Sequence, residues 1–233
     1  MSDPLAGAAV LVTGASSGIG RALVAALVAR GACVVAAARS ADRLAALAAE
    51  LGARVEPVVA DVGRSDDVQC LIAGAGRLDA VINNAGIGHV EPFLDSDPAG
   101  WQATLDTNLV GALLVARAAL PAMLAAGRGV VLNVGSASAA GWPYLALYAA
   151  SKAALRAASV ALDREYVGRG VRVLHVEIGP TQGTDFGIHS DPAHLPTAAQ
   201  AWTALGIPWK ASASTPADAA ATILTTLSGV LQG

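Results

Sequence analysis

Ala8-Ala9-Val10-Leu11-Val12-Thr13-Gly14-Ala15-Ser16-Ser17-Gly18-Ile19-Gly20 runs from an apolar, β-branched segment through a glycine-rich turn into an Ala/Leu-rich stretch of helical length. Glycines let a backbone turn sharply and come close to a pyrophosphate, whose charge is favoured by the free N–H groups and dipole of a helix N-terminus. A glycine turn by itself also suits plain strand-to-helix packing. Placed at the opening of the first strand–helix–strand unit, it points instead to a dinucleotide held by Gly14, Ser16, Ser17, Gly18, Ile19 and Gly20.

Outward from this turn, short β-branched runs alternate with helical stretches. Strands are expected at 8–12, 33–37, 54–60, 80–82, 130–134 and 171–178. Helices are expected near 18–30, 41–51, 65–75, 98–126, 148–168 and 216–228, the last opened by Thr215 and Pro216 in cap and first-turn positions. Strand runs with little polar alternation fit a parallel sheet covered on both faces, and strict β-then-α order needs right-handed crossovers. The expected fold is therefore α/β, a doubly wound, Rossmann-type parallel sheet of six or seven strands with helices on both faces. No linker interrupts residues 1–233, which read as one domain; only 181–215, rich in Pro, Thr, Trp and His, is unpatterned, and a loop of that length in a compact domain is commonly functional.

Composition narrows the function. The 233 residues are 54% hydrophobic, enough to bury one sizeable core. The formal charge is −3 and the 15 Lys and Arg are scattered, which argues against a nucleic-acid partner. Cys33 and Cys70 are too few for a disulfide framework or a cysteine-rich metal site. That usage, with no basic-then-apolar leader and apolar runs broken by Gly, Pro or charge, reads as a cytoplasmic chain without a membrane partner. His189 and His194 belong to no ligand cluster of sensible spacing, so no metal is expected.

Tyr148-Ala149-Ala150-Ser151-Lys152 carries the chemistry. Positions i and i+4 share a helix face, so Tyr148 and Lys152 can point into one cleft. A nearby ammonium stabilises phenolate over phenol and would lower the Tyr148 pKa from about 10 toward working pH, making a usable general acid or base. A hydroxyl from Ser136 can hold the same substrate oxygen.

These motifs together resemble the short-chain dehydrogenase/reductase family. The glycine spacing is similar to its TGxxxGIG pattern, Asn83-Asn84-Ala85-Gly86 to its NNAG segment, and Tyr148 with Lys152 to its YxxxK pair. The resemblance covers about residues 5–230, with 181–215 matching only in position. It implies Asn84, Ala85 and Gly86 along the cofactor, Asp61 and Val62 on adenine, and Asn108 at a helix break that holds a water chain toward Lys152. It also gives Lys152 a bond to the nicotinamide ribose, and makes Asn108, Ser136, Tyr148 and Lys152 the catalytic set. Ser136 stands twelve residues before Tyr148, one fewer than the commonest family spacing, and Ser138 is the alternative.

Two departures from the family stand out. Its Pro-Gly after the sixth strand is Ile178-Gly179 here, leaving Gly179 with Thr181 or Thr184 as the cofactor contacts, and the chain ends at Gly233 where the family adds a seventh strand. Either 229–233 forms a stub or the sheet has six strands. Phe186, Leu195, Trp202, Leu205, Ile207 and Trp209 either line an apolar lid or simply pack a loop, with His89, Trp142 and Tyr144 as further candidates for the cleft wall.

The second strand ends Ala37-Ala38-Arg39-Ser40, without the carboxylate that bonds a ribose 2′-hydroxyl. Arg39 and Ser40 match a 2′-phosphate, so NADP(H) is expected in preference to NAD(H), which remains possible; Arg39 as a solvated residue is the plainer alternative. The expected activity is interconversion of a small, hydrophobic carbonyl and its alcohol. A non-catalytic dinucleotide-binding protein and a sugar-nucleotide epimerase or dehydratase are the competing readings. The resemblance further implies a homodimer or homotetramer built on the helices near 100–126 and 148–168.

Overall fold

A computed structural model of the chain describes residues 3–188, 190–210 and 213–231. His189 and residues 232–233 lie outside them. Six strands are present among the described residues: β1 (Ala9–Thr13), β2 (Cys33–Ala38), β3 (Val55–Val59), β4 (Ala80–Asn83), β5 (Gly129–Ser136) and β6 (Val171–Ile178). All pair in parallel, in the order β3-β2-β1-β4-β5-β6. The order reverses between β1 and β4, and in such sheets ligands bind outside the carboxyl ends of the strands at that point.

Alternation within each strand feeds two cores. Val10, Val12, Val34, Ala36, Ile82 and Leu132 face the side covered by α1 (Gly18–Ala29), α2 (Ala41–Leu51) and α8 (Pro216–Leu231), meeting Leu23, Leu27, Leu44, Ile223 and Leu227. Leu11, Val35, Val81, Val131 and Val173 face the other side, where α3 (Ser65–Gly74) and α5 (Ala112–Ala126) supply Leu71, Val115, Leu120 and Met123. Both faces are covered, which is why these strands lack polar alternation. At the start of α8, Thr215 and Asp218 exchange hydrogen bonds in a capping box, the Asp218 N–H donating to Thr215 Oγ1 (3.2 Å) and the Thr215 N–H to Asp218 Oδ2 (3.0 Å). That helix continues to Leu231, so 229–231 is helical, and β6 forms an edge of the described sheet.

The expected helix 98–126 is three pieces: α4 (Pro98–Leu105), a π-helical segment over Asp106–Gly111, and α5. By length and composition the run from Pro98 to Ala126 is apolar enough to cross a bilayer. Its π segment, its internal Pro121 and the packing of Val115, Ala116, Ala119, Leu120 and Met123 into the second core fit the core helix of a globular domain instead. The long helix α6 (Ala146–Tyr166) starts two residues before Tyr148, and α7 (His194–Ala204) lies inside the stretch that the sequence pattern left without structure.

Candidate active site

The glycine turn is built by steric necessity. Gly14 has φ +66°, and a Cβ there would lie 2.8 Å from the Ala85 Cα; a Cβ on Gly20 would sit 2.0 Å from the Gly14 carbonyl oxygen. The turn is tied to β4 through Thr13, whose hydroxyl accepts from the N–H groups of Asn84 and Ala85, both at 3.1 Å, while the Asn84 amide donates to the Thr13 carbonyl at 3.0 Å. Asn84 thus holds backbone, and its neighbour Asn83 donates to Asn133 and to the Ala112 carbonyl across the sheet. Thr13 and Asn133 were absent from the sequence-derived candidates because nothing in local spacing shows a bond across strands.

The N-terminus of α1 follows this turn, and the Ser17 side chain makes no cap bond to the helix backbone. Its first N–H groups are consequently available to a phosphate. At the end of β2, Arg39 is exposed, and among the described residues no carboxylate pairs with it. Ser40 begins α2 with no cap bond from its hydroxyl. Asp61 Oδ1 accepts from the Gly63 N–H (2.9 Å), and Val62 packs so closely on Gly111 that a Cβ there would lie 2.9 Å from Val62 Cγ2. A glycine cradle, a helix N-terminus and a free guanidinium at one end of the sheet fit a dinucleotide with an extra phosphate.

Asn108 sits in the π segment, 1% exposed. Its Oδ1 accepts from the Ile87 N–H and its Nδ2 donates to the Ile87 carbonyl, both at 2.8 Å, and to Ser151 Oγ at 3.0 Å. It clamps the segment after NNAG onto α6. Lys152, also buried, donates to the Val134 carbonyl (2.8 Å), and burial pulls its pKa down from 10.5 to about 8. Ser136 lies near enough to Tyr148 to favour its phenolate, and its own hydroxyl stands 2.9 Å from that of Ser138. Of the two serines, Ser136 is the one that acts on Tyr148.

The Tyr148 pKa departs from the sequence expectation. Burial pushes the phenol up and Ser136 opposes this only partly; the Lys152 ammonium, 5.8 Å from the ring centroid, is itself partly neutralised by burial.

The segment after β6 reaches over this whole arrangement. The Thr181 hydroxyl donates to the Gly179 carbonyl (3.1 Å), and its backbone bridges to Ser214. Thr184 lies over the glycine turn, its Cβ 3.2 Å from where a Gly18 Cβ would stand. Asp185 pairs with Arg43 at 2.6 Å and accepts from Ser17, and Phe186 meets Tyr148 and Gly88. Of the other aromatic and apolar candidates, Trp142, Trp202, Ile207 and Trp209 pack together in a small core of their own, and Leu195 and Leu205 are exposed. His89 and Tyr144 line a pocket that opens beside Tyr148; Trp142 does not. No group of His, Cys, Asp and Glu suited to a metal occurs among the described residues.

Comparison with known proteins shows the family. Residues 8–193 match the short chain dehydrogenase family. The chain is 36% identical over 184 residues to the NADP-dependent 3-hydroxy acid dehydrogenase YdfG of Salmonella typhi, covering 76% of this chain and 74% of that protein. Among solved structures it is similar to a closed form of serine dehydrogenase complexed with NADP+, with a TM-score of 0.81 and 30% identity over 93% of this chain and 87% of that one. It is also similar to a metagenomic short-chain oxidoreductase in complex with NADP, with a TM-score of 0.71 and 36% identity over 76% of this chain and 84% of that one.

Proposed function

The chain belongs to the short-chain dehydrogenase family, and from that premise we propose that it is an NADP(H)-dependent oxidoreductase interconverting a small alcohol and its carbonyl, with Tyr148 as general acid and base. The observation that carries this reading is the gathering of three groups: Tyr148 and Lys152 on one face of α6, with Ser136 near enough to Tyr148 to favour its phenolate.

When bound, the nicotinamide cofactor supplies the hydride in reduction and accepts it in oxidation. Tyr148 gives its proton to the carbonyl oxygen as that oxygen gains charge, and takes it back when the alcohol is oxidised. Ser136, near Tyr148, holds the same oxygen and stabilises its developing charge. Lys152, near Tyr148, is a cation that favours phenolate and would bond the ribose; Asn108 keeps the Ile87 backbone and α6 in register. Gly14, Ser16, Ser17, Gly18, Ile19 and Gly20 would hold the pyrophosphate, Arg39 and Ser40 the 2′-phosphate, and Asp61 and Val62 the adenine. Asn84, Ala85 and Gly86, with Gly179 and Thr181 or Thr184, would hold the rest of the dinucleotide.

The apolar part of the substrate lies against the rings around Tyr148. Exposed Cys33 and Cys70 thiols suit a reducing cytoplasm, and exposed Val110 and Val160, on or beside the long helices, suit burial in a homodimer or homotetramer. Titration with NADPH and NADH, followed by a screen of carbonyls and alcohols read by nicotinamide absorbance, tests the proposal. Tight NADPH binding with turnover of at least one substrate is expected; cofactor binding with no turnover would favour a non-catalytic binding protein.

A further inference from the structure

The pocket beside Tyr148, about 210 Å³, has walls of two kinds. Its lining includes the aromatic residues Phe93, Trp101, Tyr144 and Tyr148 and the acidic residues Glu91 and Asp97. Among the described residues no Lys or Arg lines it, and His89 is the one described lining side chain able to carry positive charge. Phe93 and Trp101 stack, with centroids 5.4 Å apart and planes 22° from parallel.

The two carboxylates differ. Asp97 caps α4, its Oδ1 accepting from the Ala99 N–H at 2.9 Å. Glu91 is half-buried, and among the described residues no donor or cation meets its carboxylate. Its backbone N–H instead donates to the Tyr144 carbonyl (3.0 Å), and Tyr144 is the one described non-glycine residue with positive φ, +66°. Strain of this kind persists where surrounding structure imposes it, commonly at ligand sites. Glu91 therefore fixes one wall of the pocket through its backbone while its own charge is left for something else.

We propose that the pocket takes the ammonium group of an amino alcohol, or of the corresponding amino ketone, with Glu91 as its counter-charge. This rests on the reading of Tyr148 as the proton-transferring group, and names the substrate class for that site. Aromatic faces attract a cation through their quadrupole, and a carboxylate in a partly desolvated cleft adds Coulomb attraction. A carboxylate-bearing substrate meets like charge at Glu91 and Asp97 with no arginine or lysine to receive it. The 3-hydroxy acids named for YdfG are thus poorly matched here.

Three alcohols of one shape separate the possibilities: 1-aminopropan-2-ol, butan-2-ol and 3-hydroxybutanoate, which differ only in an ammonium, methyl or carboxylate at one end. Dissociation constants are measured for each enantiomer on the NADPH-bound protein, in which none can be oxidised, and kcat/KM is measured with NADP+. The ammonium compound is expected to bind at least about tenfold more tightly than the neutral one and the carboxylate most weakly. In Glu91→Gln the ammonium-to-neutral ratio falls to about threefold or less. Equal binding of all three by the wild type, the carboxylate binding best, or an unchanged ratio in Glu91→Gln overturns the proposal. Ordered binding without turnover of any alcohol would leave this inference standing and count against the proposed catalysis instead.

Discussion

Phe186 stands edge-on to Tyr148, with ring centroids 4.7 Å apart and an interplanar angle of 62°. This contact joins the segment after β6 to the phenol on α6, and it helps to bury the group whose charged form the reaction needs.

Removing that ring should hydrate Tyr148. Solvation favours phenolate, so Phe186→Ala is expected to lower the Tyr148 pKa in the cofactor-free protein. Tyrosinate absorbance titrated against pH, with Tyr148→Phe as the reference, checks this. The same titration midpoint in Phe186→Ala and wild type would show that burial comes from elsewhere.

Lys152 gives a pH dependence of stability. Its folded pKa of about 8 lies below its ordinary 10.5, so between those values the unfolded chain holds more protons than the folded one, and stability rises with pH. Burying the ammonium costs folding roughly 3 kcal/mol below pH 8, a cost that disappears above about 10.5. Wild type should gain on Lys152→Met by up to that amount across the window, as read by denaturant unfolding; a difference flat in pH would contradict it.

Arg39 should separate the two cofactors. Arg39→Ala removes a charged donor that only a 2′-phosphate uses, so NADPH affinity is expected to fall about 10- to 100-fold with little change for NADH. Fluorescence titration of both decides the matter, and equal losses would mean that Arg39 acts on the shared part of the dinucleotide.

Gly20→Ala sets two effects against each other. Alanine is the better helix former by about 1 kcal/mol. Its Cβ, however, would stand 2.0 Å from the Gly14 carbonyl oxygen, and displacing backbone costs more than that gain. A net loss of about 2 kcal/mol, or roughly 5 °C in Tm, is expected together with loss of cofactor binding.

What the sequence showed followed from short-range chemistry. The glycine turn, the β2 terminus and the i, i+4 pair on α6 depend on neighbours a few residues away, so their placement could be read directly. Strand alternation between two covered faces likewise exposed the parallel sheet. The bonds from Thr13 to Asn84 and from Asn133 to Ser159 join residues far apart in the chain, and no local pattern announces them. Helix α7 was missed because Pro196 and two threonines dilute its apolar face, and packing of Ala198 and Trp202 stabilises it instead. Glu91 gave no signal because an acidic residue before a proline looks like solvated loop until the pocket around it is seen. The expected lowering of the Tyr148 pKa failed because spacing places Lys152 near the phenol but says nothing of how deeply both are buried.

The central claim is that Tyr148 transfers the proton, and Tyr148→Phe tests it most directly. The substitution keeps the ring and its packing on Phe186 while removing the hydroxyl. With any substrate that the wild type turns over, kcat should fall by about 10²- to 10⁴-fold while the NADPH dissociation constant stays within about twofold of wild type. Lys152→Ala, measured alongside, should lose turnover and cofactor affinity together. Turnover near the wild-type rate in Tyr148→Phe would contradict the account, whatever cofactor the protein proves to bind.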